Sequence, residues 1–496
     1  MTAYENLARH FARIDSIHGA IEVLYWDLAT QMPKGGAATR GEQLAGLNVL
    51  EHDLMVDPRV ADWLGEASQD KSLGEWEQAN VREMTHRWRH ATAVPGDLVE
   101  AISRAGSACE TFWRTARHAN DFAGLAPHFQ RVIDLVRQKA DAKAAALGVS
   151  RYDALLDQYE PGVTAGRIDT LFADLADFLP GLIEGVLEKQ ARGPAIIPLT
   201  GTFPVDQQRA LGLQVMEVMG FDFNHGRLDV SAHPFCGGTP LDVRLTTRYD
   251  EADFVKGLMG VIHETGHALY ERGRPLDWMN QPVGQARSMG LHESQSLLME
   301  MQACRSREFL QFVAPRVRQV FGREGEGYSA ENLYRIYTQV KRSLIRVDAD
   351  EVTYPAHVIL RYRLEQAFLA GDIEVKDLPG AWNEGMQALV GITPVDDRNG
   401  CMQDIHWMDG TFGYFPTYTL GAMTAAQLFD AANRADADIL PGIARGDFKP
   451  LLAWLRPNVH SLGCRYSSEE LITRATGRPL DAGIFKAHLQ RRYLEA

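Results

Sequence analysis

The chain has 496 residues, and its 51 basic and 65 acidic side chains give a formal net charge of −14 at pH 7. An apolar fraction of 45% with 23% charged residues is typical of a soluble globular protein and excludes a disordered or fibrous one. The acidic balance argues against a general nucleic-acid binder, because such proteins concentrate Lys and Arg to neutralise phosphates. At roughly 150 residues per domain, the length alone would suggest about three domains.

A cytoplasmic location is expected, because the sequence shows no recognisable targeting signal and its cysteines suit a reducing compartment. The N-terminal segment is charged and amphipathic, without the apolar core of a signal peptide. No window reaches the ~20 uninterrupted apolar residues of a membrane span, so no membrane association is expected. Without CxxC spacing, the five scattered cysteines indicate neither a disulfide framework nor a thiolate zinc site: Cys109, Cys236, Cys304, Cys401 and Cys464.

Helical periodicity dominates the first third of the chain. Apolar residues recur every three or four positions from Leu7 to Leu28, which predicts an amphipathic helix that ends before Gly35. Proline and glycine separate the further helical stretches. These are expected around residues 37–55, 73–92, 97–119, 126–147 and 168–189.

Strand-like sequence is concentrated between Ala195 and Thr247, in segments 195–199, 227–232 and 241–247. The helical pattern then resumes after Asp250 and continues almost to the C-terminus, without repeats or low-complexity linkers. We therefore expect a mainly α fold, in which residues 1–496 form one large helical body with a small inserted sheet at about 195–247. A break near residue 148 predicts an N-terminal helical lobe, 1–148, and a catalytic part, 149–496.

The sharpest chemical signal is an HExxH motif formed by His263, Glu264 and His267. On a helix, residues four apart lie about 40° apart around the axis and one turn along it, so both imidazoles can bind one cation. A neighbouring carboxylate can then move protons to and from water. The motif predicts a metal-dependent hydrolase. The alternative is that the two histidines bind no metal and form hydrogen bonds with neighbouring carboxylates or carbonyls.

A third metal ligand is expected from Glu293, in the sequence His292-Glu293-Ser294-Gln295 at the start of another helical stretch. A helix packed against the first one could bring this carboxylate to the cation and leave the fourth position to water or substrate. The alternative is that a glutamate at a helix start simply complements the helix dipole.

The chain resembles the Taq-type family of zinc metallocarboxypeptidases, and the similarity extends over nearly the whole length. An early segment with Trp26-Asp27, Met32-Pro33 and Arg40 resembles the N-terminal segment of this family. Six motifs occur in the family's order: His233-Pro234-Phe235, Asp242-x-Arg244-x-Thr246, the HExxH motif at 263–267, His292 to Gln295, Ile345-Arg346-x-x-Ala349-Asp350, and Gly400-x-x-Gln403-Asp404-x-His406-Trp407.

The resemblance implies His263, His267 and Glu293 as metal ligands and Glu264 as the general base. It also implies a helical fold with a deep active-site cleft, related to deep-cleft HExxH oligopeptidases of the gluzincin type. The activity implied is that of a carboxypeptidase of broad specificity, usually a homodimer, which removes C-terminal residues one at a time. One Zn²⁺ per chain is expected, and Co²⁺ can substitute because such ligands discriminate weakly between the two ions.

A carboxypeptidase must recognise a free carboxylate, which a guanidinium binds in bidentate fashion. Arg346 is the first candidate, although a structural salt bridge with Asp348 or Asp350 would explain it equally well. Arg244 lies on a predicted strand whose edge could align an extended peptide, with a sheet-stabilising ion pair as the alternative.

The remaining site candidates serve the oxyanion or the substrate. A donor to the developing oxyanion is a usual requirement of this chemistry, and His406, Tyr414 and Tyr418 are the candidates, with ordinary aromatic packing as the alternative for the tyrosines. The substrate-binding candidates also include His233, Asp350 and Gln403. Asp348 or Asp350 could instead orient a ligand imidazole from outside the metal site.

Two other functions compete with a carboxypeptidase acting on peptides with a free C-terminus. The first is an oligopeptidase that cleaves internal bonds with the same metal chemistry. The second is a non-catalytic, helical peptide-binding scaffold that retains a metal site. Glu264 argues against the scaffold, because a site that only holds metal needs no general base.

Overall fold

The computed structural model describes residues 1–495, and helices dominate this part of the chain. The predicted mainly α fold is therefore confirmed. The α-helices are α1 Ala3–Thr30, α2 Ala37–Met55, α3 Pro58–Ala67, α4 Glu75–Thr92, α5 Gly96–Ala119, α6 Phe122–Leu147, α7 Arg151–Leu156, α8 Ala165–Arg192, α9 Val205–Val218, α10 Phe254–Gly273, α11 Met289–Leu297, α12 Arg307–Phe321, α13 Ala330–Tyr337, α14 Tyr354–Ala370, α15 Leu378–Val390, α16 Pro416–Ala435, α17 Ile439–Ile443, α18 Lys449–Asn458, α19 Ser468–Thr476 and α20 Ala482–Gln490.

Shorter helical segments also occur between and after these helices. Two of them are π-helical, Leu298–Cys304 and Arg491–Glu495, and one of the 3₁₀ turns spans Arg346–Asp348. Within residues 1–495, no helix combines the length and the apolar character needed to cross a bilayer.

The small inserted sheet has three strands, β1 Gly226–Val230, β2 Cys236–Thr239 and β3 Asp242–Thr247, in the order β1-β3-β2. The central strand β3 runs parallel to β1 and antiparallel to β2. The predicted strands at 227–232 and 241–247 correspond to β1 and β3. The expectation that β3 offers its edge to a peptide is wrong, because both of its edges are paired.

The predicted strand at 195–199 is wrong. This segment forms no strand, and its backbone pairs with a side chain instead of a neighbouring strand. The Ile197 N–H donates to Asn332 Oδ1 at 2.9 Å, and Asn332 Nδ2 donates to the Ile197 carbonyl at 2.9 Å. An amide side chain thus satisfies the groups that a sheet would otherwise satisfy.

The sheet supports the helix that carries the HExxH motif. Val243 and Leu245 of β3 are fully buried and pack in one cluster with Val261 and Ala268 of α10. Met216 of α9 closes the same cluster. This apolar contact fixes one face of α10 and leaves another face for the polar residues of the motif.

The chain forms two compact units, each assembled from three segments. Unit 1 comprises Met1–Ala91, Ala195–Tyr337 and Thr424–Leu480, and unit 2 comprises Thr92–Pro194, Thr338–Met423 and 481–495. The predicted division at residue 148 does not coincide with these boundaries and stays a prediction.

Candidate active site

Helix α10 presents His263, Glu264 and His267 from one stretch of unit 1. The Asp253 side chain caps the helix by accepting from the Val255 N–H at 2.9 Å. The two imidazole centroids lie 5.0 Å apart, and the side chains are 23% and 12% exposed. The four-residue spacing therefore places both rings side by side, as the sequence predicts.

Helix α11 brings Glu293 to these imidazoles. Its Oε2 lies 3.4 Å from His267 Nε2 and 3.8 Å from His263 Nε2. In a tetrahedral site with bonds of about 2.0–2.1 Å, neighbouring ligand atoms lie about 3.3–3.4 Å apart. The three donor atoms therefore fit one small cation, and they include the imidazole nitrogens and carboxylate oxygen that zinc accepts.

Gly266 allows the close approach of α10 and α11. A Cβ at this position would lie 2.5 Å from the Gln295 carbonyl oxygen and 2.6 Å from Ser296 Cα. Both are backbone atoms, which cannot turn aside as a flexible side chain can. A glycine inside the motif is therefore a condition for bringing Glu293 into reach.

Three ionisable groups of the site have pKa values shifted from their usual range. Burial lowers the pKa of His267 to about 4, which keeps this imidazole neutral at pH 7. Burial opposes the ionisation of Glu293, but His263 and His267 outweigh it and lower the pKa of Glu293 to about 2. Burial raises the pKa of Glu264 to about 7, which suits a group that exchanges protons near neutral pH.

Besides Glu293 near its Nε2, His263 has a second carboxylate next to its Nδ1, which sequence analysis missed. Its Nδ1 lies 2.9 Å from Glu300 Oε2, and Glu300 Oε1 accepts from Arg305 at 2.5 Å. Glu300 lies on the π-helical segment Leu298–Cys304, directly after α11. The signal in the sequence was the seven-residue spacing from Glu293, which places both glutamates on one helix face. Glu300 thus has the contact expected of a residue that orients this imidazole, and the same role considered for Asp348 or Asp350 stays a prediction.

In unit 2, Arg346 lies in a buried ion-pair cluster. Its Nε and one terminal nitrogen donate to Asp404 Oδ1 at 3.0 and 2.9 Å, and its other terminal nitrogen donates to the Tyr354 hydroxyl at 2.8 Å. Arg346 therefore does form a buried salt bridge, as the alternative interpretation stated, but its partner is Asp404 instead of Asp348 or Asp350. Three of the five N–H groups of a guanidinium are used in these contacts, and the other two have no partner within residues 1–495.

A second arginine shares the same aspartate. Arg361 Nε donates to Asp404 Oδ2 at 2.6 Å, and the Arg361 side chain is fully buried. Although burial opposes it, the two guanidinium groups hold the pKa of Asp404 well below its usual range. Two cations around one carboxylate leave an excess positive charge, which favours an anionic ligand.

Aromatic rings surround the Arg346 guanidinium, and one of the oxyanion candidates, Tyr418, belongs to this group. The guanidinium carbon lies 5.1 Å from the Tyr418 ring centroid and 5.4 Å from that of Phe415. His406 Nε2 is 3.5 Å from the Tyr418 hydroxyl, and the His406 and Tyr414 rings stack at 6.0 Å. Burial lowers the pKa of His406 to about 4, so its imidazole is neutral at pH 7.

Gln403 and Asp350 hold the backbone around Arg346. Gln403 Oε1 accepts from the Arg346 N–H at 2.8 Å, and its Nε2 donates to the Leu344 carbonyl at 2.9 Å. Asp350 accepts from the backbone N–H groups of Lys341, Val352 and Thr353 at 2.9 to 3.0 Å. These contacts support a role in shaping the Arg346 segment more than direct contact with substrate.

The other two substrate-binding candidates lie in unit 1. Arg244 donates twice to Asp242, at 3.0 and 2.7 Å, and its guanidinium carbon lies 4.4 Å from the Trp26 ring centroid. This geometry supports the sheet-stabilising alternative for Arg244. The His233 side chain is exposed, and its carbonyl oxygen accepts from Ser231 Oγ at 2.6 Å.

Comparisons with known proteins identify the family to which the chain is similar. The family model of carboxypeptidase Taq (M32) metallopeptidases matches residues 6–493. Thermostable carboxypeptidase 1 of Thermus thermophilus is 40% identical over 506 residues, which cover 99% of this chain and 98% of the relative.

Solved structures show the same likeness. Metallocarboxypeptidase 1 of Trypanosoma cruzi superposes with a TM-score of 0.97 at 40% identity, over 99% of both chains. The M32 carboxypeptidase of Deinococcus radiodurans gives a TM-score of 0.95 at 35% identity, over 99% of both chains. The chain therefore belongs to the carboxypeptidase Taq (M32) family of metallopeptidases and is a metal-dependent carboxypeptidase.

Proposed function

We propose that His263, His267 and Glu293 hold one Zn²⁺ and that Glu264 is the general base of peptide hydrolysis. A cation in this position would polarise the scissile carbonyl and increase the acidity of a nearby water. Glu264 would accept the proton of the attacking water and later donate it to the leaving amine. The spacing of the three donor atoms carries this assignment, and Co²⁺ remains an alternative ion.

Arg346 is proposed to bind the free carboxylate of the substrate. Two unpartnered N–H groups, the excess positive charge of the Arg346, Arg361 and Asp404 cluster, and the surrounding rings support this role. Asp404 holds the guanidinium in place, and Gln403 and Asp350 support its backbone. This role would explain the removal of residues from the C-terminus and a broad tolerance of side chains.

His406, Tyr414 and Tyr418 are proposed as donors to the developing oxyanion. A neutral imidazole and two phenols can each donate one hydrogen bond without adding charge. Arg244 and His233 are retained as weaker candidates for substrate contact, because Arg244 is already engaged by Asp242 and Trp26.

The cellular setting and assembly follow the family resemblance. We propose a cytoplasmic homodimer that works as one peptidase domain, with the N-terminal helices as a wall of its cleft. The five cysteines are unpaired in the described residues, which supports a reducing compartment. Light scattering at several protein concentrations tests the dimer.

Replacing Glu264 by Gln tests the general base. We expect peptide hydrolysis to fall by at least about 1,000-fold, since the amide cannot accept the proton. The bound metal should stay stoichiometric, because Glu264 is not a ligand. Mass spectrometry of a peptide digest measures the activity, and elemental analysis measures the metal. Full activity of E264Q, or of a chelator-treated enzyme, would contradict the proposed chemistry.

Replacing Arg346 by Ala tests carboxylate recognition. We expect kcat/KM for free-carboxylate peptides to fall by about 100-fold, the loss of about 3 kcal/mol of charged hydrogen bonds. Replacement of the exposed Arg363 by Ala is the control and should have no effect. An amidated peptide should be a poor substrate for the unmodified enzyme. Efficient internal cleavage of amidated peptides would favour the oligopeptidase, and binding without cleavage would favour the scaffold.

A further inference from the structure

The two histidine ligands proposed above have different surroundings on the side away from the metal position. His263 Nδ1 has a hydrogen-bond partner in Glu300, at 2.9 Å. His267 Nδ1 is buried and has no hydrogen-bond partner within residues 1–495. A ligand imidazole is usually oriented by a hydrogen bond at its second nitrogen. The orientation of His267 must therefore depend on another contact.

The ring of His292 provides such a contact. The His267 and His292 centroids are 4.5 Å apart, and the planes are inclined by only 21°. The His292 ring also contacts the ring of Tyr270, with the two centroids 5.6 Å apart. Tyr270 is three residues after His267 on α10. His292 directly precedes the third proposed ligand, Glu293, in the chain. One short segment therefore provides both a ligand and the ring that stacks on the ligand His267.

His292 is itself held firmly. Its Nε2 lies 2.9 Å from Glu271 Oε1, and Glu271 Oε2 accepts from Arg274 at 2.5 Å. The Glu271 and Arg274 side chains are only 9% and 5% exposed. A buried ion pair thus fixes the stacking ring from behind, and the ring can act as a rigid wall for His267.

We propose that His292 is a positioning residue that orients the ligand His267 by ring stacking, as Glu300 orients His263 by a hydrogen bond. Without a partner at Nδ1, the His267 ring could rotate about its Cβ–Cγ bond and turn Nε2 away from Glu293. The stacked ring blocks that rotation. The inference rests on the proposed metal role of His267 and adds a support that the ligand set does not contain.

Zinc affinity of the metal-free protein, measured by competition with a chromophoric chelator, tests this role. His292→Phe keeps a stacking ring without the Glu271 contact, and His292→Gln keeps a polar contact to Glu271 without the ring. We expect H292F to stay within about threefold of the unmodified protein and H292Q to bind zinc about 10 to 100-fold more weakly. His52→Ala, an exposed histidine of α2, is the control and should not change the affinity.

A second measurement separates positioning from folding. The visible spectrum of the Co²⁺-loaded protein should change in H292Q but not in H292F, while the thermal unfolding of the metal-free variants should be similar. Equal zinc affinity of H292Q and the unmodified protein would overturn the role of His292 and leave the proposed metal centre intact. Weakening in H292F as large as in H292Q would also overturn it. Absence of zinc binding by the unmodified chain would overturn both.

Discussion

A buried carboxyl group in unit 2, Glu365, shows how single residues determine the response to pH. Glu365 Oε2 accepts from the Tyr152 hydroxyl at 2.7 Å and from the Gly413 N–H at 3.1 Å, and Oε1 accepts from Trp407 Nε1 at 2.9 Å. Burial nevertheless dominates and raises the pKa of Glu365 from 4.5 to about 7. The native state therefore binds a proton that the unfolded chain has released.

The free energy of unfolding should reflect this shift with a definite sign. Because the folded pKa is the higher one, the contribution of Glu365 is fully present below pH about 4.5 and is lost as the pH rises through 7. Gln at this position cannot ionise. We expect the stability of the unmodified protein to fall relative to E365Q by up to about 3 kcal/mol between pH 4 and pH 8. Urea unfolding followed by circular dichroism measures the difference, and a pH-independent difference would contradict the prediction.

At the residue scale, sequence predicted the groups whose chemistry is local. The HExxH spacing identifies His263 and His267 because helix geometry alone brings them together. Asp404 as the partner of Arg346 could not be predicted, since 58 residues separate them and a nearby aspartate was the simpler choice. The stacking of His292 on His267 was equally hidden, because it depends on how α10 and α11 pack.

At the scale of elements, most helices could be predicted from the sequence, but not all of the short strands. The helix expected at 37–55 is α2, and that expected at 97–119 is α5 within one residue. Strand β2 has the sequence Cys-Gly-Gly-Thr, which lacks the usual strand formers, and it exists because β3 pairs with it. Segment 195–199 has strand-like residues but lacks a partner strand, so propensity gave the wrong answer there.

The contact of α10 with α11 leads to a prediction for Gly266→Ala. The new Cβ would meet the Gln295 carbonyl oxygen at 2.5 Å, so α11 must move and take Glu293 away from the imidazoles. We expect a stability loss of about 1–3 kcal/mol from overpacking and a zinc affinity at least about tenfold weaker. Chelator competition and thermal unfolding measure the two effects.

Gly260→Ala on the same helix is the matched control. Its added Cβ would lie 3.9 Å from Thr247 Oγ1, an ordinary contact. Alanine also favours a helix over glycine by up to about 1 kcal/mol. G260A should therefore keep or increase stability and leave zinc affinity unchanged. Equal zinc affinities of G266A and G260A would show that the close approach is not needed for the ligand set.

At the scale of the whole molecule, the order of segments along the chain differs from their grouping in space. The break predicted near residue 148 rests on a real local signal, since Gly148 ends α6 with a φ of 76°. A helix end does not mark the limit of a unit, however, because only long-range contacts decide which segments pack together. Those contacts are not visible in local periodicity.

Arg287 joins all three segments of unit 1 and lets this organisation be tested. One terminal nitrogen donates to Glu83 Oε1 at 2.8 Å and to the Tyr466 carbonyl at 3.4 Å, and the Arg287 side chain is only 3% exposed. Replacing Glu83 by Ala would leave this buried cation without its carboxylate. We expect a loss of about 3–5 kcal/mol in the free energy of unfolding, whereas Glu66→Ala at an exposed site of α3 should change it by less than about 0.5 kcal/mol.

A fragment of residues 149–496 lacks Glu83 altogether and should fail to unfold cooperatively. Cooperative unfolding of that fragment, with E83A as stable as E66A, would instead support the predicted division at residue 148.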